Sequence, residues 1–396
     1  MPALLRGPFR GLPGEVAILT AVSFTVALGY GIVAPAIPTF ARQFGVSTVA
    51  AASVISAFAL VRILGALPAG HLADRFGEKP VMAIGIAVVA VSSVLAGFSR
   101  SFGELIVLRG GGGLGSAMYT VSAQSLLLAS VPDSQRGRAS GVFSAGFLVG
   151  AVSGPAVGGL VAEWSLRAPF IIYGALLVVP AVIAMIVLRD PPRRPATVGL
   201  RPARQFAPIA AALRSRAYRA AASATLADGF APVGVRTAIV PLFVRDVLHR
   251  SALWTGLGFV VFAALNALVL LPGGWATDAL GRRPVIVAGS VAAAGGMLMF
   301  AFLPSLGGYL SALALAGVGS GLLDVASSAM IGDLLPARGG TLVALYQMAG
   351  DAGAVTGPVA AGILVDTVGY AAAFSLAAAV LGVAAILGYV APETRS

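Results

Sequence analysis

Apolar residues in this chain run in long blocks, with neither the alternation of a half-buried strand nor the narrow stripe of a surface helix. Blocks of about 20 residues have the length that crosses a bilayer at a rise of about 1.5 Å per residue. They fall near 16–38, 48–72, 81–99, 103–130, 139–163 and 168–188, and again near 220–246, 252–277, 284–303, 306–332, 341–366 and 369–389. The pattern predicts an all-α membrane protein of twelve transmembrane helices in two six-helix bundles, 1–188 and 220–396. Between them, 189–219 is the one long polar segment. It carries eight arginines (Arg189, Arg193, Arg194, Arg201, Arg204, Arg214, Arg216 and Arg219) and reads as a basic cytoplasmic linker.

Composition agrees. The mean hydropathy is +0.95, and only 10% of the 396 residues are charged, against roughly 25% in a soluble domain. The net charge of +11 would suggest nucleic acid if it were spread over a surface. With the N-terminus inside, however, 18 of the 26 Lys and Arg fall on the cytoplasmic side and five outside, as the positive-inside rule requires. That places both termini in the cytoplasm and leaves no need for a nucleic-acid partner. Arg6 and Arg10 precede a first apolar run that reads as a retained helix, without a cleavable signal. Cysteine is absent and the two histidines, His71 and His249, lie at predicted helix ends, so no metal site is expected.

The two halves repeat. Gly70, Asp74, Gly77 and Pro80 recur as Gly274, Asp278, Gly281 and Pro284 at an offset of 204, and Gly113 and Gly115 as Gly317 and Gly319. Gly154-Pro155 recurs as Gly357-Pro358, and Pro38 as Pro241, at 203. This is an internal duplication of a six-helix unit, the pattern of parallel-repeat transporters with a site near the membrane midplane.

On these residues the chain resembles the major facilitator superfamily. Gly70 to Pro80, with Asp74, Arg75 and Gly77, is similar to the signature of the loop between the second and third helices. Asp278, Gly281 and Arg282 belong to its second copy. Arg109 with Gly113 and Gly115 resembles the fourth-helix signature. Gly146, Gly150, Gly154, Pro155, Gly158 and Gly159 resemble the fifth-helix signature of antiporters. Gly29, Pro35 and Pro38 resemble a first-helix signature of twelve-helix drug exporters. Glu78 and Gly112 depart from the usual residues at their positions. The resemblance implies a monomeric, multi-pass protein of the cell membrane, a drug:proton antiporter with no cofactor beyond the proton gradient.

Each motif has a physical reading. Asp74 and Arg75, placed just past a helix end in a loop that needs Gly77, would form a cytoplasmic latch, the alternative being charge anchoring. Gly146 to Gly159 puts small residues on one face for close helix approach, and Pro155 would then break the helix. Gly110 to Gly115 is no phosphate loop, because it lies inside a span with no strand before it.

An ionisable residue at the bilayer centre costs at least about 2.5 kcal/mol unless it faces a cavity or a partner. Arg62, Arg109, Arg236, Asp228, Asp324 and Asp351 are so placed. Asp351, with Gln347 a turn earlier, is the first candidate to carry a proton, then Asp324, then Asp228, with structural ion pairs as the alternative. Asp228 and Arg236 stand about 12 Å apart along a regular helix, too far for a direct pair. Arg109 bears on coupling by the resemblance alone, and Arg62 is expected to snorkel. Tyr30, Tyr119, Phe147, Phe230, Arg236, Phe262, Tyr346 and Gln347 are candidates to line a substrate cavity.

The expected function is proton-driven export of small amphipathic molecules by alternating access. The alternatives are proton-coupled transport of a sugar, amino acid or organic acid and, remotely, a membrane-embedded enzyme or lipid-handling protein, for which no nucleophile or metal cluster is evident.

Overall fold

The computed structural model describes residues 11–132, 135–188, 214–334 and 340–394. Most of the expected linker, 189–213, lies outside the described residues. What is described is helical throughout: α1 Gly14–Val33, α2 Ile37–Arg42, α3 Thr48–Phe76, α4 Glu78–Gly97, α5 Phe102–Ala129, α6 Arg136–Trp164 and α7 Ala168–Ile186. The second half holds α8 Arg216–Asp228, α9 Arg236–Asp246, α10 Ala252–Leu280, α11 Arg282–Phe302, α12 Leu306–Leu334, α13 Gly340–Thr367 and α14 Tyr370–Val390. A π-helical turn, Gly229–Val235, joins α8 to α9 in one continuous rod.

Among the described residues, eleven helical stretches are long and apolar enough to cross a membrane. The 28-residue α5 stands where the remaining span was expected. Its glycine run with Glu104 and Arg109 makes it less apolar than the others. Large apolar side chains such as Leu67, Trp164 and Leu271 point outward, as suits helices solvated by lipid.

By contact the chain forms two units, Met1–Ala36 with Ala57–Thr197, and Ile37–Ser56 with Val198–Ser396. In unit 1, α6 lies along α1. Gly150, Gly154 and Gly158, spaced by four, each face a backbone carbonyl of α1 four residues apart, those of Phe24, Leu28 and Ile32. A Cβ at any of them would come within 3.0 Å of backbone, so only glycine permits this approach. Gly146 meets Thr20 in the same way. The expected break at Pro155 does not occur: α6 continues through it to Trp164. The proline ring instead packs against Gly31, and in a membrane bundle neighbouring helices compensate for a lost amide.

The duplication recurs in three dimensions. Gly77 and Gly281 both open a helix with positive φ, 100° and 101°, a region that glycine enters without a Cβ clash. Gly113 faces the Phe58 carbonyl, and Gly317 faces that of Phe262, a pair 204 residues further on. Gly85 meets the Gly115 carbonyl as Gly289 meets that of Gly319.

Segment 37–56 belongs by contact to unit 2. The Asp366 carboxylate at the end of α13 accepts the Thr48 and Val49 amides at 2.9 and 2.8 Å. It thereby caps the N-terminus of α3, where backbone donors have no helical acceptor. Ser56 donates to the Val355 carbonyl at 2.7 Å.

Candidate functional site

In unit 2 three helices bring polar side chains together inside an otherwise apolar bundle. Asp228 ends α8, just before the π-turn, and is only 8% exposed. Its neighbours are Asp324 and Ser320, one turn apart on α12, and Arg236. Ser320 stands beside Asp228, and Asn266 of α10 beside Asp324. Asp228 Oδ1 has no partner among the described residues. Asp324 lies on open surface of the unit while remaining within electrostatic reach of Asp228. Two carboxylates so placed cost more to ionise together than singly.

The backbone explains how Asp228 reaches this position. Pro232 cannot donate a backbone hydrogen bond, and the helix widens around it into the π-turn, a feature often found at functional sites. Arg236 Nε donates to the Pro232 carbonyl at 2.6 Å. The Arg236 guanidinium lies over the rings of Phe262 and Phe259, at 4.1 and 4.5 Å from their centroids, so it is held by cation–π contact while its charge acts on Asp228. Close packing of α13 fixes the same stretch, since Gly229 abuts Gly350 and Gly353 abuts the Leu226 carbonyl.

Unit 1 holds a different constellation. Arg109 of α5 is 1% exposed, with the Phe58 ring centroid 4.8 Å from its guanidinium carbon. Its electrostatic neighbours are the tyrosines Tyr173 and Tyr30.

A family model described as Major Facilitator Superfamily matches residues 19–233 and 222–396. The chain belongs to the major facilitator superfamily. Membership places the chain in a transporter family and not among enzymes. Multidrug resistance protein 1 of Bacillus subtilis is 30% identical over 180 residues, 46% of either chain. The quinolone resistance protein NorA of Staphylococcus aureus is 29% identical over 177 residues, 45% of this chain and 46% of its own. The chain thus spans about half the length of the curated relatives it matches. Among solved structures, a bacterial homologue of the human lysosomal transporter Spinster superposes with a TM-score of 0.81 at 18% identity, over 97% of both chains. The nucleoside transporter NupG gives 0.77 at 15% identity, over 95% of this chain and 99% of its own. These two likenesses concern the fold alone.

Within this facilitator the other expected residues are dispersed. Asp351 is half-buried on α13 and has interactions of its own; it is not among the groups that act on Asp228. Gln347 is exposed, while Tyr346 is buried and shares a 2.7 Å hydrogen bond with Ser327. Phe230 and Phe262 are buried beside the polar group, whereas Phe147 is exposed. Tyr119 is buried in unit 1, and Tyr30 packs 6.4 Å from the Phe58 ring.

The two copies of the loop motif differ. Asp74 and Arg75 lie in the last turn of α3, not beyond it, because the helix runs on to Phe76 and turns at Gly77 alone. Asp74 is exposed with no partner among the described residues, and Arg75 lies 5.3 Å from the Phe76 ring centroid. In the second copy Arg282 binds Asp333 at 2.9 Å, Asp278 at 3.3 Å and the Thr277 carbonyl at 3.0 Å. Glu393 there accepts the Arg282 and Arg283 amides.

Sequence reasoning did not single out Asn266, Ser320 or Phe259. A lone amide inside the α10 span, and a serine one turn before Asp324, were the available signals.

Proposed function

We propose that this facilitator exports small amphipathic compounds, cationic or neutral, in exchange for protons, and that Asp228 and Asp324 carry the proton. The observation that supports this reading most is the facing pair, with one carboxylate oxygen buried and unpartnered. A pair that resists double ionisation takes up a proton, and an arriving cation offers an alternative counter-charge. Proton and cargo then compete for one place, which is the minimum condition for exchange. Each ligand favours a different conformation only by its difference in affinity between them.

The names of the two drug-resistance relatives agree with export. In this reading the protein is a monomer in the cell membrane, with twelve spans, both termini in the cytoplasm, bundles at 1–188 and 220–396, and a basic linker at 189–219. Phe230, Phe262 and Arg236 border the cargo site. Asp74 and Arg75 act as a cytoplasmic latch. Asp351 is set outside the proton path, against its first place by sequence, because the groups that act on Asp228 do not include it.

The test is flux in proteoliposomes with a pH dye inside, challenged with cationic, neutral and anionic compounds. Exchange predicts protons moving opposite to a cationic or neutral compound. Movement in the same direction would make the protein a symporter and overturn the proposal.

A further inference from the structure

Among the described residues, Arg109 is the largest side chain that is almost wholly buried, and no carboxylate there answers it. Its exposure is 1%, and Nε and Nη1 have no hydrogen-bond acceptor among the described residues. Its polar neighbours are Tyr173 and Tyr30. Phe58 covers one face of the guanidinium at 4.8 Å, and cation–π contact offsets only part of the cost of removing the charge from water. Guanidinium does not shed its proton in proteins, so the charge stays.

The surroundings are rich in hydroxyl groups. Tyr119 stands near Ser23, yet neither hydroxyl completes a hydrogen bond. Tyr119, Tyr173 and Ser116 line one narrow, partly open cavity. Tyr173, one of its lining residues, is also an electrostatic neighbour of the guanidinium. Water could satisfy individual N–H groups, but only an anion also cancels the charge. The hydroxyls at hand can donate to it.

We propose that Arg109 anchors a binding site for a small monovalent anion, a halide or a small carboxylate, inside unit 1. The site goes beyond the proton-exchange reading, since it uses none of the acidic residues. Charge-assisted bonds from the guanidinium hold the anion, with the Tyr173 and Tyr30 hydroxyls as further donors. Phe58 keeps the guanidinium plane in place.

The experiment is equilibrium binding of radiolabelled chloride to the purified full-length protein, at constant ionic strength maintained with methanesulfonate. Competition by unlabelled formate distinguishes the sources: displacement makes the site one for small carboxylates as well, while chloride bound without displacement makes it halide-selective. A parallel series with labelled formate covers a site that excludes chloride. The expected result is saturable binding of one anion per chain, weakened at least about tenfold in Arg109→Gln, or about 1.4 kcal/mol. Arg109→Lys, which keeps the charge but loses the planar donors, and Tyr173→Phe weaken it to smaller extents. These two milder variants carry the test if Arg109→Gln fails to fold. Anion-dependent thermal stabilisation should follow the same order. Absence of saturable binding of either anion to the wild type, or equal binding by the variants, would overturn the proposal.

Discussion

Replacing Gly150 by alanine tests the helix-packing account against the opposite expectation from helix propensity. The new Cβ would stand 2.9 Å from the Leu28 amide nitrogen and 3.1 Å from Ala27 Cβ, and nearer still to the Phe24 carbonyl. Two of these neighbours are backbone, so no rotamer change relieves them; α6 must move off α1. Overpacking of this kind costs about 1–3 kcal/mol. The gain in helix propensity, about 1 kcal/mol, offsets part and leaves a net loss of up to about 2 kcal/mol. Gly141 supplies the control. It lies on the same helix, with nothing within 4 Å of an added Cβ, so Gly141→Ala should be neutral or stabilising by up to about 1 kcal/mol. Thermal unfolding of the two variants in the same detergent reads the difference directly. A Gly150→Ala protein at least as stable as Gly141→Ala would refute the account of α6 packing on α1.

Other outcomes follow from contacts elsewhere. Asp366→Ala removes the acceptor for two amides at the start of α3 and should cost about 1–2 kcal/mol, visible as a lower melting temperature and faster hydrogen exchange near Thr48. Asp333→Asn weakens the exposed Arg282 network and should cost no more than about 1 kcal/mol in a thermal melt; a larger loss would mean the network does more than tie neighbouring helices. Phe262→Ala uncovers one face of Arg236 and should weaken cargo binding several-fold, read by substrate titration, with little change in expression. Asp74→Asn should slow transport turnover while leaving cargo affinity near wild type; an affinity defect alone would count against the latch.

The sequence displayed the elements because apolar block length is a local property, and it displayed the repeat because the offset of 204 survives in residues that shape backbone turns. Gly77 and Gly281 could be paired on paper for the same reason that their φ angles agree. Asp228, Asn266, Ser320 and Asp324 meet through three helices separated by many residues, and no spacing rule connects them. Asp351 comes first by sequence because its place in an apolar block suggests depth, and depth does not say what a side chain faces. Local rules end α6 at Pro155 because they assign no value to the helices packed around it, and the helix runs on to Trp164. The cap made by Asp366 joins segments more than 300 residues apart, and an aspartate near a helix end gave no sign of its partner.

The central claim is that the facing carboxylates exchange a proton for cargo. Its most direct test is proton release from the purified transporter in weakly buffered detergent when a bound cationic compound is added. The account predicts release from the wild type and from Asp351→Asn, and none from Asp228→Asn or Asp324→Asn. Release undiminished in both pair variants, or lost only in Asp351→Asn, would contradict it.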